Sequence, residues 1–92
     1  MVLSFQEGTS IKKTKKLEDF LDRWSSQLLR AKGYVSVNGE GSCLLQYALK
    51  RAVWQKSNYK GPSYLVLIGL NLDWDKLFAE WESLFGHPAA LI

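Results

Sequence analysis

The chain has 92 residues, 47% of them hydrophobic, and a formal charge of +3; that is enough for one small domain with a thin core, and too little positive charge to argue for nucleic acid by itself. A composition this apolar, with four tryptophans, excludes a disordered chain. One cysteine excludes an internal disulfide framework and fits a reducing compartment, and with no apolar run of membrane-spanning length and no charged-then-apolar leader, a cytoplasmic domain without a membrane partner is expected.

Val2 to Gln6 reads as a short first strand, followed by turn chemistry at Glu7-Gly8-Thr9-Ser10. Lys12, Lys13, Lys15 and Lys16 then stand at the start of a helix, against a dipole that prefers anions there. A solvated helix start accounts for them, as does an electrostatic contact with an acidic partner. Leu17, Phe20, Leu21, Trp24 and Leu28 recur at helical spacing, with Glu18, Asp19, Asp22 and Arg23 on the opposite, solvated face.

The period then changes from helical to alternating, and Leu29 to Val37 is the strand the rest is organised around. Successive side chains of a strand point to opposite faces. Leu29, Ala31, Gly33, Val35 and Val37 are expected to face a helix layer; Arg30, Lys32, Tyr34 and Ser36 are expected to face outward. Gly33 in mid-strand marks a bulge or a close approach by another element. Asn38 to Ser42 is a glycine-bearing hairpin connection. Cys43 to Gln55 is a long strand or a bent pair of strands, with a bulge expected before Val53 and Trp54. After a polar loop closed by Gly61-Pro62, Tyr64 to Leu70 is a continuous apolar run suited to cover on both faces. Asp73 suits a helix N-cap, Trp74, Leu77, Phe78, Trp81, Leu84 and Phe85 form the stripe of a second helix, Gly86 suits its C-cap, and His87 to Ile92 is a tail.

The order β-α-β-β-β-α, joined by hairpins, predicts an α+β fold: a two-layer sandwich with an antiparallel four-stranded sheet, both helices on one face, ferredoxin-like in flavour, spanning 1–92 as a single domain.

Two stretches carry a resemblance. Arg30-Ala31-Lys32-Gly33-Tyr34, preceded by Leu28-Leu29, is similar to the LRAKGF signature of the CobW C-terminal domain, and Tyr64 to Asp73 is similar to that domain's ELVFIGRDLD strand and helix start. Leu44-Leu45-Gln46 stands between them as the family's LLQ strand does, and the resemblance runs from about Leu17 to Phe85. The chain departs from the pattern at Ser36, at Leu70-Asn71 and at Lys12 to Lys15. In the CobW and nitrile-hydratase-activator family of metallochaperone GTPases this domain follows the GTP-hydrolysing one. The resemblance therefore implies a partner-docking or regulatory role in metal-cofactor delivery, cobalamin biosynthesis among its settings, with a GTPase domain or a metalloprotein client as protein partner.

The residues themselves offer little catalysis. No Gly-x-x-x-x-Gly-Lys-[Ser/Thr] loop is present to cradle phosphates, nor the Cys-x-Cys-Cys metal motif of the family's GTPase domain. A lone Cys43 and a lone His87 supply neither a zinc set nor a nucleophile–base pair. Cys43 is expected in the core or a turn and His87 in the tail; no catalytic, metal or cofactor residues are assigned, and no enzyme activity is expected. What remains is the outward sheet face with Arg30, Lys32 and Tyr34, joined by Trp54, as a protein-docking surface, because Tyr, Trp and Arg concentrate at interface centres. The alternative is a single-stranded nucleic-acid-binding module, since cations and aromatics on an open sheet also stack bases. Lys32-Gly33-Tyr34 begins the RNA-recognition consensus, but Val35, Ser36 and Gly39 break it, and the element order differs from βαββαβ. Nucleic acid is therefore the less favoured partner.

Overall fold

The computed structural model describes residues 2–4, 11–85 and 90–91. Eight elements follow in order: β1 (Val2–Ser4), α1 (Thr14–Arg23), β2 (Leu28–Val37), β3 (Gly41–Ala48), β4 (Arg51–Lys56), β5 (Tyr64–Gly69), α2 (Trp74–Phe85) and β6 (Ala90–Leu91). The fold is α+β as expected, with both helices against an antiparallel sheet. Four strands lie between the helices, and β1 and β6 extend the sheet beyond β5 to the order β4-β3-β2-β5-β1-β6. Because β5 runs antiparallel to both β1 and β2, β1 and β2 are parallel with β5 between them. By the same reasoning β5 and β6 are parallel with β1 between them. These two interleaved split β-α-β units are the ferredoxin-like arrangement. The β3–β4 hairpin is inserted between β2 and β5 and widens the sheet on the far side. Without that hairpin the order is βαββαβ, so element order does not separate this fold from the RNA-recognition module as the sequence suggested.

The core lies between the sheet and the helices. Leu17, Phe20 and Leu21 of α1, with Trp24 just beyond it, meet Leu77 and Trp81 of α2, and all are buried over Leu28, Ala31, Val35 and Val37 of β2, Cys43, Leu45 and Tyr47 of β3, and Leu65 and Leu67 of β5. Phe20 ties the helices together, edge-on to Trp81 with centroids 5.4 Å apart and to Phe85 at 6.2 Å. Arg23 Nε donates to Glu80 across the helix pair. Asp73 caps α2 as expected, accepting from the Lys76 amide at 3.2 Å. The α1 N-cap, Lys13, makes no side-chain cap bond, and the preceding Ile11 is pinned to the end of β2 by bonds of its amide to Ser36 O and of the Asn38 amide to its own carbonyl. The turn and C-cap readings for 5–10 and 86, and with them Gly86 and His87, lie outside the described residues. Of the expected tail from His87 to Ile92, Ala90–Leu91 is instead a strand, held against β1 by the ladder.

Three local departures from the alternation have physical causes. The β2–β5 register shifts between Leu28 and Arg30, so Leu28 takes the core position and Leu29 is 49% exposed rather than facing the helices; a bulge exchanges the faces of the residues before it. The stretch from Cys43 to Gln55 folds back at Leu49-Lys50, where both residues have positive φ, 52° and 60°. That is the backbone of a two-residue hairpin turn that usually takes Asn-Gly, and neither residue signals it. Finally, β5 is covered on one face only: Leu65 and Leu67 are buried, while Ile68 is 52% exposed.

Candidate functional site

The open face of the sheet is built in rows by the strand register. Ile68, Arg30, Ala48 and Arg51 lie across β5, β2, β3 and β4 in the first row; Val66, Lys32, Gln46 and Val53 in the second; Tyr64, Tyr34, Leu44 and Gln55 in the third. Each row is one residue per strand at the strand spacing, about 4.8 Å. Arg30 and Lys32 stand at i and i+2 on β2, so they form a ridge with a shallow depression on each side. One, of about 380 Å³, has Gln46 and Ala48 between the ridge and Arg51 and Val53. The other, of about 270 Å³, runs between the same ridge and Tyr64, Val66 and Ile68. Ala48 is the reason for the first depression: a single methyl group between two arginines leaves a gap that a larger side chain would fill.

Charge is sorted between the layers. Arg30, Lys32 and Arg51 are the cations of the open face, no Asp or Glu occurs in β2, β3, β4 or β5, and none of the three has an ion pair among the described residues. Among the described residues the carboxylates sit on or beside the helices and in the β2–β3 turn. Two of them are not simply solvated, as the helix periodicity suggested. Glu18 accepts a 2.8 Å bond from Trp54 Nε1, and Asp22 accepts one of 2.7 Å from the Tyr47 hydroxyl. One turn apart on α1, these carboxylates clamp the β3–β4 hairpin to the helix layer. Burial first, and then the hydrogen bond and charge of Asp22, push the Tyr47 phenol well above its ordinary value of 10.0.

The structure therefore brings together Arg30, Lys32 and Tyr34, and separates Trp54 from them. The register Leu45↔Trp54 puts Trp54 on the helix side, half-buried and bonded to Glu18. Its parity could not be read from the sequence, because the unmarked turn at Leu49-Lys50 sets the phase of β4. In place of Trp54 the open face holds Arg51 and Val53, which sequence reasoning passed over. It also missed Tyr59: this loop residue stacks on Tyr34 with centroids 4.2 Å apart and planes 16° from parallel, and both pack edge-on to Tyr64. The Tyr59 hydroxyl donates to Pro62 O at 3.0 Å, which holds the loop in place. Tyr34 is thus one member of a closed tyrosine cluster at the margin of the face, with one ring face already covered.

Among the described residues no three of His, Cys, Asp and Glu come together to hold a metal ion. Cys43 is in the core as expected, 3% exposed; burial, and after it the charge of Glu40, push its thiol up against a smaller downward pull from Lys56. No helix among the described residues is long and apolar enough to cross a membrane.

The family described as cobalamin synthesis protein cobW C-terminal domain matches residues 2–85. No curated protein matches the chain. Among solved structures, the crystal structure of the Zn(II)-bound YjiA GTPase from E. coli superposes with a TM-score of 0.64 at 22% identity, over 91% of this chain and 28% of that one. A Zn(II)-bound triple mutant of YjiA gives 0.63 at 22% identity over the same shares. At that identity the likeness is one of fold, and this chain spans 28% of the length of the GTPases it matches.

Proposed function

The chain belongs to the family of CobW C-terminal domains, and from that premise we propose that it is a non-catalytic docking or regulatory module whose open sheet face receives a protein partner in metal-cofactor delivery. The observation that carries this reading is the uneven cover of β5 and its neighbours. One face is sealed by two helices; the other leaves Ile68 52% and Val53 56% exposed beside three cations with no ion pair among the described residues. Apolar groups mixed with arginine on a rigid, flat scaffold suit the centre of a protein interface. A GTPase domain of the same family is the first partner to test, because relatives of the length of YjiA contain far more chain than this domain, and a metalloprotein client is the second. Among the described residues the one thiol, Cys43, is buried in the core.

The test is a calorimetric titration of a CobW-family GTPase domain with the wild-type chain and with Ile68→Asp. Ile68 is exposed, so the variant should keep its thermal transition while losing about 2 kcal/mol or more of binding. A wild type that does not bind the GTPase domain, or a variant that binds it equally well, rejects the reading.

A further inference from the structure

We infer that the open face is specific for an acidic, apolar polypeptide segment, whose carboxylates lie over Arg30, Lys32 and Arg51 and whose apolar side chains cover Val53 and Ile68. The inference rests on the docking reading and adds the chemistry of the partner. Three features of the face point to this occupant.

The first is the sorting of charge. Arg30 and Arg51 flank Ala48 in one row, and Lys32 stands beside Gln46 in the next. None of the three cations has a carboxylate partner among the described residues, whereas Arg23 and Lys15 on the helix side each have one. Three like charges within one depression repel each other, and an approaching carboxylate relieves that repulsion while satisfying guanidinium groups that take it in a bidentate fork. The second feature is the interleaving of apolar side chains. Val53 lies in the row beside Arg51, and Ile68 lies in the row of Arg30. A purely anionic ligand would leave both uncovered, while a segment carrying carboxylates and aliphatic side chains engages all five residues. The third feature separates this occupant from single-stranded nucleic acid. Stacking a base needs an open aromatic face, and Tyr34 on β2 already has one ring face covered by Tyr59 at 4.2 Å, while Tyr64 beside the cations is packed edge-on against both. Trp54, which would have been the second platform, is on the opposite side of the sheet, bonded to Glu18.

The experiment follows backbone amide shifts of the chain by NMR during titration with three probes: a short capped peptide alternating glutamate and leucine, its counterpart with glutamine for glutamate, and a short single-stranded oligouridylate. Each is added to the wild type and to Arg30→Gln with Arg51→Gln, whose unperturbed spectrum outside the face verifies its fold. The glutamate peptide is expected to shift Gln46, Ala48, Val53 and Ile68, with affinity falling at least about tenfold in the variant and similarly when salt rises from about 0.05 to about 0.5 M. The glutamine peptide is expected to bind at least about tenfold more weakly than the glutamate peptide. Equal binding of the two peptides, shifts confined to the helices, an unaffected variant, or no binding of the glutamate peptide would each overturn the inference. So would oligouridylate binding tighter than the glutamate peptide, which would assign the face to nucleic acid. If the peptide arm fails while Ile68→Asp still abolishes binding to the GTPase domain, only the acidic chemistry is lost and docking stands.

Discussion

At the scale of single residues, Gly33 shows how a backbone contact dictates a residue type. A Cβ at this position would overlap the Tyr64 carbonyl oxygen and lie 2.9 Å from Leu65 Cα. Both are backbone atoms of the adjacent strand, which cannot rotate away as a side chain would. Gly33→Ala should therefore separate β2 from β5 locally and cost about 2–3 kcal/mol or more; a urea midpoint close to that of the wild type would contradict the geometry. Tyr47 makes a prediction about pH. Its phenol is held above its ordinary value in the folded chain, first by burial and then by Asp22, so the folded state keeps a proton that the unfolded state begins to release near pH 10. Its contribution is constant below that point and is lost as pH rises from about 10 upward. Tyr47→Phe should cost about 1 kcal/mol at neutral pH through the missing bond to Asp22. The variant should also show a shallower alkaline decline than the wild type when denaturation is measured from about pH 8 to about pH 11; parallel declines would show that Tyr47 is not the group responsible.

At the scale of elements, the β3–β4 hairpin is the part the sequence hid, and Leu49-Lys50 is the reason. Both residues adopt left-handed backbone, and Leu49 is 90% exposed, so neither propensity nor burial supports the turn. It is held from outside, by the ladder with β3 and by the bonds of Tyr47 and Trp54 to α1. Leu49→Asn with Lys50→Gly matches the preferred residues of this turn and removes no packing, so it should stabilise the chain by about 1 kcal/mol; a lowered denaturation midpoint would show that Leu49 makes a contact that its exposure conceals. The same contrast explains what was legible. The stripe of α2, that of α1 as far as Leu21, the glycine turn at Gly39 and Gly41, the Asp73 cap and the alternation from Arg30 to Val37 follow from local chemistry, and the structure has them, whereas Trp24 and Leu28 fall past the end of α1. The bulge at Leu28-Arg30, the side taken by Trp54 and the stacking of Tyr59 on Tyr34 depend on register and on loop closure across the chain. Those distances are not encoded in any window of neighbouring residues. Of the candidate site, Arg30, Lys32 and Tyr34 were readable because they alternate on one strand; Arg51 and Val53 were not, because an unmarked turn lies before them.

At the scale of the whole molecule, the sheet joins two kinds of pairing. Strands β2, β3 and β4 form a meander of adjacent segments, whereas β5 returns to β2 only after the whole hairpin, and β1 finds β5 across most of the chain, Val2 opposite Val66. Closing a short loop loses less chain entropy than closing a long one, and contacts between sequence neighbours speed folding. The inserted hairpin that widens the open face therefore also gives the chain its most local sheet, and the meander is the expected folding nucleus. Leu45 and Leu67 test this, since both are fully buried over the helices, one within the meander and one on the returning strand. Leu45→Ala should mainly slow refolding, and Leu67→Ala should mainly speed unfolding; stopped-flow kinetics showing the reverse would place the nucleus in the crossover pairs. On this order of events the open face takes shape before the helices have sealed the layer behind it, and a newly made chain presents its cations while its core is still open.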